Sequence, residues 1–338
     1  MGAAAGTISP DRILHDMADL WVSLGKQGEG DAGVLRACSM TLAVAAEESD
    51  DPQAIGETLA ALMPEHPSRA IVIRFHAAGE RSLAARVFAQ CWMPFGHRQQ
   101  ICCEQIEITA SDASLPDLGA VVLPLTVPDL PVILWCRSSR LFRLPAFLQL
   151  SAIAQKLVLD SAAFGDASAA LRDMAAAAKS GLLGDLSWTR LTRWRELIAQ
   201  IFENRAQTSN LPLVSDVLIC HRAASPPTTA YYLAAWLLEG LAKIGAHPKV
   251  EFRSAGGDPA WRLSRVELRG QGREEPIASI SLASGAAGAA EIKTGGLVSK
   301  TLLPPLTDYS LMREELSIPG PDPVFERALA GALKLAVS

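Results

Sequence analysis

The chain has 338 residues, 49% of them hydrophobic and 6% aromatic, with a formal charge of −5 and a pI near 5.7. That length suits two domains with sizeable cores, and the acidic balance excludes the basic face that nucleic-acid binding normally needs. Every long apolar run is broken by proline or charge, which excludes a membrane span, and the start, MGAAAGTISPDRIL, lacks the charged and hydrophobic regions of a signal peptide.

A cytoplasmic protein is therefore expected. Ser9 or Asp11 can cap a first helix running to about Leu24, with Ile13, Met17, Leu20 and Leu24 on one stripe. The loop GKQGEGDAG that follows contains a formal GxGxxG at Gly28, Gly30 and Gly33. A dinucleotide cradle needs a strand before that motif and a helix after it. Here a helix precedes and a strand-like run, Ser39–Ala46, follows, so the segment reads as a loop. Asp51 and Pro52 are a natural N-cap and first residue for a helix bearing Ile55, Leu59, Leu62 and Met63. Strands are predicted at Ala70–Phe75, Leu83–Trp92 and Ile101–Thr109.

The stretch Val121–Arg137, VVLPLTVPDLPVILWCR, carries three prolines, Pro124, Pro128 and Pro131, so Leu123–Pro131 reads as a kinked connection. Val132–Trp135 beyond it has the content of a buried strand. Such a strand delivers Trp135 and Arg137 to its carboxyl end, where open α/β sheets place their ligand crevices. The pattern continues through Leu141–Leu150, a strand at Lys156–Leu159 and an alanine-rich helix over Ala167–Ala178. Gly181 and Gly184 then interrupt the chain, and the domain boundary is placed at 183/184.

In the second half, Thr192 reads as an N-cap, and Trp194, Leu197, Ile198, Ile201 and Phe202 follow at helical spacing. A strand over Leu213–Cys220 leads into an apolar helix, Thr228–Ile244, stopped by Gly245. Short strands at Lys249–Arg253, Trp261–Arg269, Pro276–Leu282, Ala290–Lys293 and Leu297–Leu302 read as an antiparallel meander. Helices at Tyr309–Leu316 and Pro323–Ala336 close the chain. The fold class is thus an N-terminal α/β domain with a mainly parallel or mixed sheet (1–183) and a C-terminal α+β domain (184–338).

Motifs for nucleotide, metal or nucleophile chemistry are missing: there is no phosphate-loop lysine signature, GxSxG, HExxH or paired Cys/His spacing. Neither a cofactor nor a metal is expected, and no catalytic constellation emerges. The six cysteines (38, 91, 102, 103, 136, 220) lie mostly in apolar runs without CxxC spacing and read as reduced, buried thiols. What stands out is Trp and Arg, the residue types of binding hot spots, in motif-like segments: Asp129, Trp135 and Arg137, then Trp188, Arg190, Arg193, Trp194 and Arg195. Trp194 also fits a helix core, and Arg190 or Arg195 could pair with Asp185 or Glu196.

Four segments carry a resemblance. They are HPSRAIVI from His66; LPL from Leu123 with VPDLPVILW from Val127 and Arg137; DLSWTRLTRWRELIAQ from Asp185; and DPVFERAL from Asp322. In order and spacing the chain resembles the OpcA family, the glucose-6-phosphate dehydrogenase assembly proteins, over roughly positions 60–330. Cys136 and Arg193 depart from that pattern, which would place an aromatic and a proline there. The resemblance implies a non-catalytic partner of glucose-6-phosphate dehydrogenase that helps it assemble and raises its activity in the oxidative pentose phosphate pathway. On this reading Asp129, Trp135, Arg137, Arg190 and Arg195 contact the dehydrogenase, and neither nucleic acid nor membrane is a partner. The alternative is a sugar-phosphate sensor or enzyme that holds an anionic ligand through Arg137 and Arg190.

Overall fold

The computed structural model describes residues 9–27, 34–93, 100–256, 262–282 and 288–337; Gly28, Gly30 and Gly33 of the GxGxxG, and Trp261, lie outside them. The first half contains α1 (Pro10–Gln27), β1 (Val34–Arg36), β2 (Met40–Glu47), α2 (Pro52–Leu62), β3 (Ser68–His76), β4 (Leu83–Trp92), β5 (Gln100–Ser111) and α3 (Leu115–Val122). Then come β6 (Val132–Cys136), α4 (Ser139–Phe142), α5 (Phe147–Ser151), β7 (Lys156–Leu159), α6 (Ala167–Ala177), β8 (Leu182–Asp185), α7 (Leu186–Thr189), α8 (Thr192–Ile201) and α9 (Arg205–Thr208). The remainder is β9 (Val214–His221), α10 (Thr228–Ala242), β10 (Lys249–Ser254), β11 (Leu263–Gly270), β12 (Ala278–Leu282), β13 (Ala289–Thr294), β14 (Leu297–Leu302), α11 (Asp308–Leu316) and α12 (Pro323–Val337).

The chain divides into two compact units that interleave along the sequence. Unit 1 takes Met1–Leu159, Gly181–Gly184 and Asp308–Pro319; unit 2 takes Asp160–Ser180, Asp185–Thr307 and Gly320–Ser338.

Unit 1 is built on an eight-stranded sheet in the order β1-β5-β3-β2-β6-β7-β8, with β4 added against β5. β2 pairs in parallel with both β3 and β6, β3 with β5, and β6 with β7. Parallel strands covered on both faces need near-continuous apolar sequence. β2 and β3 obey this, with Ala43, Val44, Ile71 and Ile73 fully buried. α2 starts as its sequence dictates: the Asp51 carboxylate accepts from the Gln53 amide, and Pro52 occupies the first turn.

Leu123–Pro131 is the kinked connection that its prolines predict; it includes a 3-10 turn, Leu123–Leu125, and follows α3, which takes up Val121 and Val122. One reading of unit 1 needs correction. The cysteines are not all free thiols. Cys91 and Cys102 face each other in register across β4 and β5 and form a disulfide. Cys38, Cys103, Cys136 and Cys220 are free. Burial pushes the Cys103 thiol up to about 11 and the Cys136 thiol up to about 12, so neither is a ready nucleophile.

Unit 2 holds a six-stranded mixed sheet, β10-β9-β11-β12-β13-β14. β10, placed at the head of the meander by sequence, instead joins β9 in parallel; β9–β11 and the later pairs are antiparallel. The Pro226–Gly245 crossover makes that parallel pairing feasible, because it contains a whole helix. α10 is buried along Ala230, Tyr232, Leu233 and Leu237 and packs against α12. Its chain reverses at Gly245, whose φ of 81° suits glycine. Thr192 is not an N-cap: it is the first residue of α8, after Leu191, and its hydroxyl accepts a hydrogen bond from Arg195 instead.

Candidate functional site

In unit 1 the candidate site forms where β2 and β6 end. β6 lies inside the sheet, paired with β2 and β7, and all five of its residues are buried. Trp135 is 1% exposed and belongs to the core. Arg137 leaves the strand with its amide donating to Ala45 O at 2.9 Å. Its guanidinium lies 4.7 Å from the Trp135 ring centroid, a cation–π distance, and pairs with Asp308 and Asp50. Trp135 therefore acts from below, as a platform for Arg137.

Beside this pair stands a cluster the sequence reading missed. Arg140 engages Glu47 through Nε and Nη2 and Asp112 through Nη1 at 2.7 Å, and the Ser138 hydroxyl donates to Glu47. Ser138 also caps α4, accepting from the Leu141 amide. Glu47 ends β2, Asp112 follows β5, and Ser138 and Arg140 follow β6, so parallel pairing alone gathers them at one end of the sheet. The available signal was that these polar residues each sit just past a predicted strand.

Asp129 is not part of that cluster. It is exposed in the turn before β6, with a φ of 63°, the one positive φ outside glycine among the described residues. β6 separates it from Arg137 by roughly 16 Å, at the usual rise for a strand.

In unit 2 the segment from Asp185 folds around one buried carboxylate. Asp185 is fully buried and accepts hydrogen bonds from the amides of Ser161 (3.0 Å) and Ser187 (2.9 Å) and from the Tyr232 hydroxyl (2.7 Å). Arg190 makes a bidentate pair with Asp160, at 2.6 and 2.7 Å. Arg195 stacks its guanidinium 3.7 Å from the centroid of Trp188, and the Trp188 indole donates to Asp322 at 3.1 Å. Asp322 also caps α12, accepting from the amides of Val324 and Phe325. Trp188, Tyr232 and Phe325 form an aromatic cluster. Thus Arg190 pairs with Asp160 rather than Asp185, and it is Arg193 that meets Glu196. Two of the motif segments, DLSWTR and DPVF, are brought together by their own side chains.

The carboxylates of unit 2 titrate apart. Burial, then the neighbouring Asp160 charge, pushes Asp185 up from the ordinary 3.8 to about 6. Burial also opposes charge on Asp160, but the Arg190 charge and its hydrogen bonds outweigh this and lower its pKa. A raised carboxyl pKa means the folded state takes up a proton before the unfolded state does. Stability should therefore fall as pH rises from about 4 to 6, by on the order of 2–3 kcal/mol from this group. Asp185→Asn keeps an acceptor for the two amides and removes the charge. Its melting temperature should exceed wild type at pH 7 and vary less between pH 4 and 7; an unchanged pH profile would refute the assignment.

Among the described residues no group of three His, Cys, Asp or Glu side chains is arranged to hold a metal, and no helix is long and apolar enough to cross a membrane.

Comparison with known proteins places this geometry in a family. Two domains of a glucose-6-phosphate dehydrogenase subunit match the chain, the N-terminal domain over residues 60–176 and the C-terminal domain over residues 182–329. A protein of Synechococcus elongatus, provisionally named as the OxPP cycle protein OpcA, is 26% identical over 242 residues, covering 70% of this chain and 52% of its own length. One of the same provisional name from Nostoc punctiforme is 26% identical over 221 residues, covering 64% and 45%. The chain thus spans about half the length of the curated relatives it matches. Among solved structures, the transcriptional regulator Gal80p of Kluyveromyces lactis aligns at a TM-score of 0.45 and 8% identity, over 94% of both chains. The scyllo-inositol dehydrogenase of Lactobacillus casei aligns at 0.43 and 9%, over 89% of this chain and 95% of that one. Likenesses that distant carry no argument. The two domain matches do, and by them the chain belongs to the OpcA family of glucose-6-phosphate dehydrogenase subunits.

Proposed function

We propose that the protein is a non-catalytic assembly factor and allosteric activator of glucose-6-phosphate dehydrogenase in the oxidative pentose phosphate pathway. The observation that carries this reading is the match of both halves of the chain to domains of a dehydrogenase subunit. The side chains support it: Arg137, Arg140, Arg190 and Arg195 are held in fixed ion pairs or stacks, as a preorganised recognition surface requires. An activator must bind one conformation of its partner better than another, and only that difference shifts the equilibrium. A tenfold gain in apparent substrate affinity needs about 1.4 kcal/mol of differential contact.

Of the five candidate contact residues, Asp129 is exposed and Arg137, Arg190 and Arg195 are partly so, while Trp135 acts through Arg137. Initial rates of the cognate dehydrogenase against substrate concentration, with and without this protein, test the proposal. A lower half-saturation or higher maximal rate on preassembled enzyme is expected; no change would leave assembly alone. Asp129→Gly suits the positive φ and deletes only the carboxylate. It should weaken binding to the dehydrogenase several-fold with an unchanged melting temperature, and normal binding would remove Asp129 from the interface.

A further inference from the structure

The candidate contacts leave one feature of unit 2 unused. A cleft of about 490 Å³, including its open mouth, is lined by Arg190, Arg193 and Arg262 together with apolar side chains such as Leu191, Trp194 and Leu306. Arg190 is committed to Asp160, and Arg193, half-exposed, pairs with Glu196 at 2.6 Å. Arg262 differs. It is partly buried and has no acidic side chain within ion-pair distance among the described residues, while its carbonyl is held by the Arg222 amide. Burial pulls its pKa down from the usual arginine value, with the Asp160 charge opposing this and the Arg190 charge adding to it.

Thr229 adds the second observation. It is 2% exposed, lines the same cleft, and its hydroxyl has no hydrogen-bond partner. Buried hydroxyls are normally satisfied. Thr229 is also the second residue of α10, a 15-residue helix whose N-cap is Pro227, with no side chain able to accept from the first-turn amides. A long helix start, an unpartnered hydroxyl and a guanidinium with no ion pair among the described residues therefore line one cleft, all three favouring an anion with several acceptor oxygens. The apolar side chains suit a carbon body attached to that anion.

We propose that this cleft binds a small organic phosphate monoester, with the phosphate on Arg262, the Thr229 hydroxyl and the start of α10, and the organic part against Trp194 and Leu306. The cleft shares Arg190 with the candidate dehydrogenase contacts, whereas the groups proposed to hold the phosphate, Arg262, Thr229 and the start of α10, are not among them. Calorimetry of the full chain alone, with glucose 6-phosphate, adenosine monophosphate, inorganic phosphate and sulfate as probes, tests it.

At least one monoester should bind more tightly than phosphate or sulfate. Arg262→Ala should weaken that binding tenfold or more, and Thr229→Val, which keeps the shape and removes the hydroxyl, several-fold. Arg262→Lys keeps the charge but loses the planar fork, and should fall between wild type and Arg262→Ala; it also serves if the alanine variant does not fold. No monoester binding at millimolar concentration overturns the proposal. So does binding unaffected by Arg262→Lys and Thr229→Val, or equal affinity for sulfate and the esters.

Discussion

Trp188→Ala is expected to lower the unfolding free energy by about 3–5 kcal/mol, the usual cost of deleting a buried tryptophan. Trp188 is 3% exposed and touches Tyr232 and Phe325 edge-on or tilted, each at a centroid distance of 6.1 Å. Removing it opens a cavity among aromatic rings, frees Arg195 from its stack, and takes away the indole that holds Asp322 at the start of α12. Trp188→Phe separates these effects. It refills most of the space but loses the hydrogen bond and the second ring of the indole, at a cost of about 1–2 kcal/mol. Denaturant titration of both variants measures the difference. Equal losses would mean that the hydrogen bond, not the packing, dominates.

The second large effect lies in unit 1. Lys156 and Glu315 form a buried pair at 2.7 Å, each side chain about 5% exposed, and Lys156 Nζ also donates to the carbonyls of Glu315 and Ile318. Lys156→Met should cost about 3–5 kcal/mol, because a carboxylate loses its cation where water cannot replace it. Adding Glu315→Leu should recover part of that loss, since the uncompensated charge is then gone, although two carbonyls still lack their donor. A double mutant no better than the single would show that those carbonyls, not the charge, set the cost. Gly184 belongs to the same arrangement: a Cβ at this position would overlap the Glu315 carboxylate. That close approach explains why a glycine stands immediately before Asp185.

Periodicity located most elements, because apolar spacing and caps are local properties. The Asp51–Pro52 start of α2, the full extent of β4, β7 and β14, and the stop of α10 before Gly245 were all readable this way. Pairing was less readable. β10 looks like any short strand, and its parallel register with β9 is decided by a connection that includes α10. The disulfide partners are eleven residues apart, and only the β4–β5 register sets them opposite each other. Site residues divided in the same way. Trp and Arg were conspicuous by type, but whether Trp135 lies in the core depends on strands on both sides of β6. Arg140, Glu47 and Asp112 passed unnoticed because they meet only in three dimensions. The arginines of the second motif were recognisable, whereas the carboxylate that binds Arg190, Asp160, lies 30 residues earlier.

The polypeptide passes from one unit to the other at 159/160, 180/181, 184/185, 307/308 and 319/320. A fragment ending at position 183 would carry the whole of β6 yet lack α11, and with it the Asp308 partner of Arg137 and the Glu315 partner of Lys156. The complementary fragment would start without Asp160 and so lose the bidentate pair that Arg190 makes with it. No single cut yields either unit whole, so a fragment from either half is expected to lack part of its own unit.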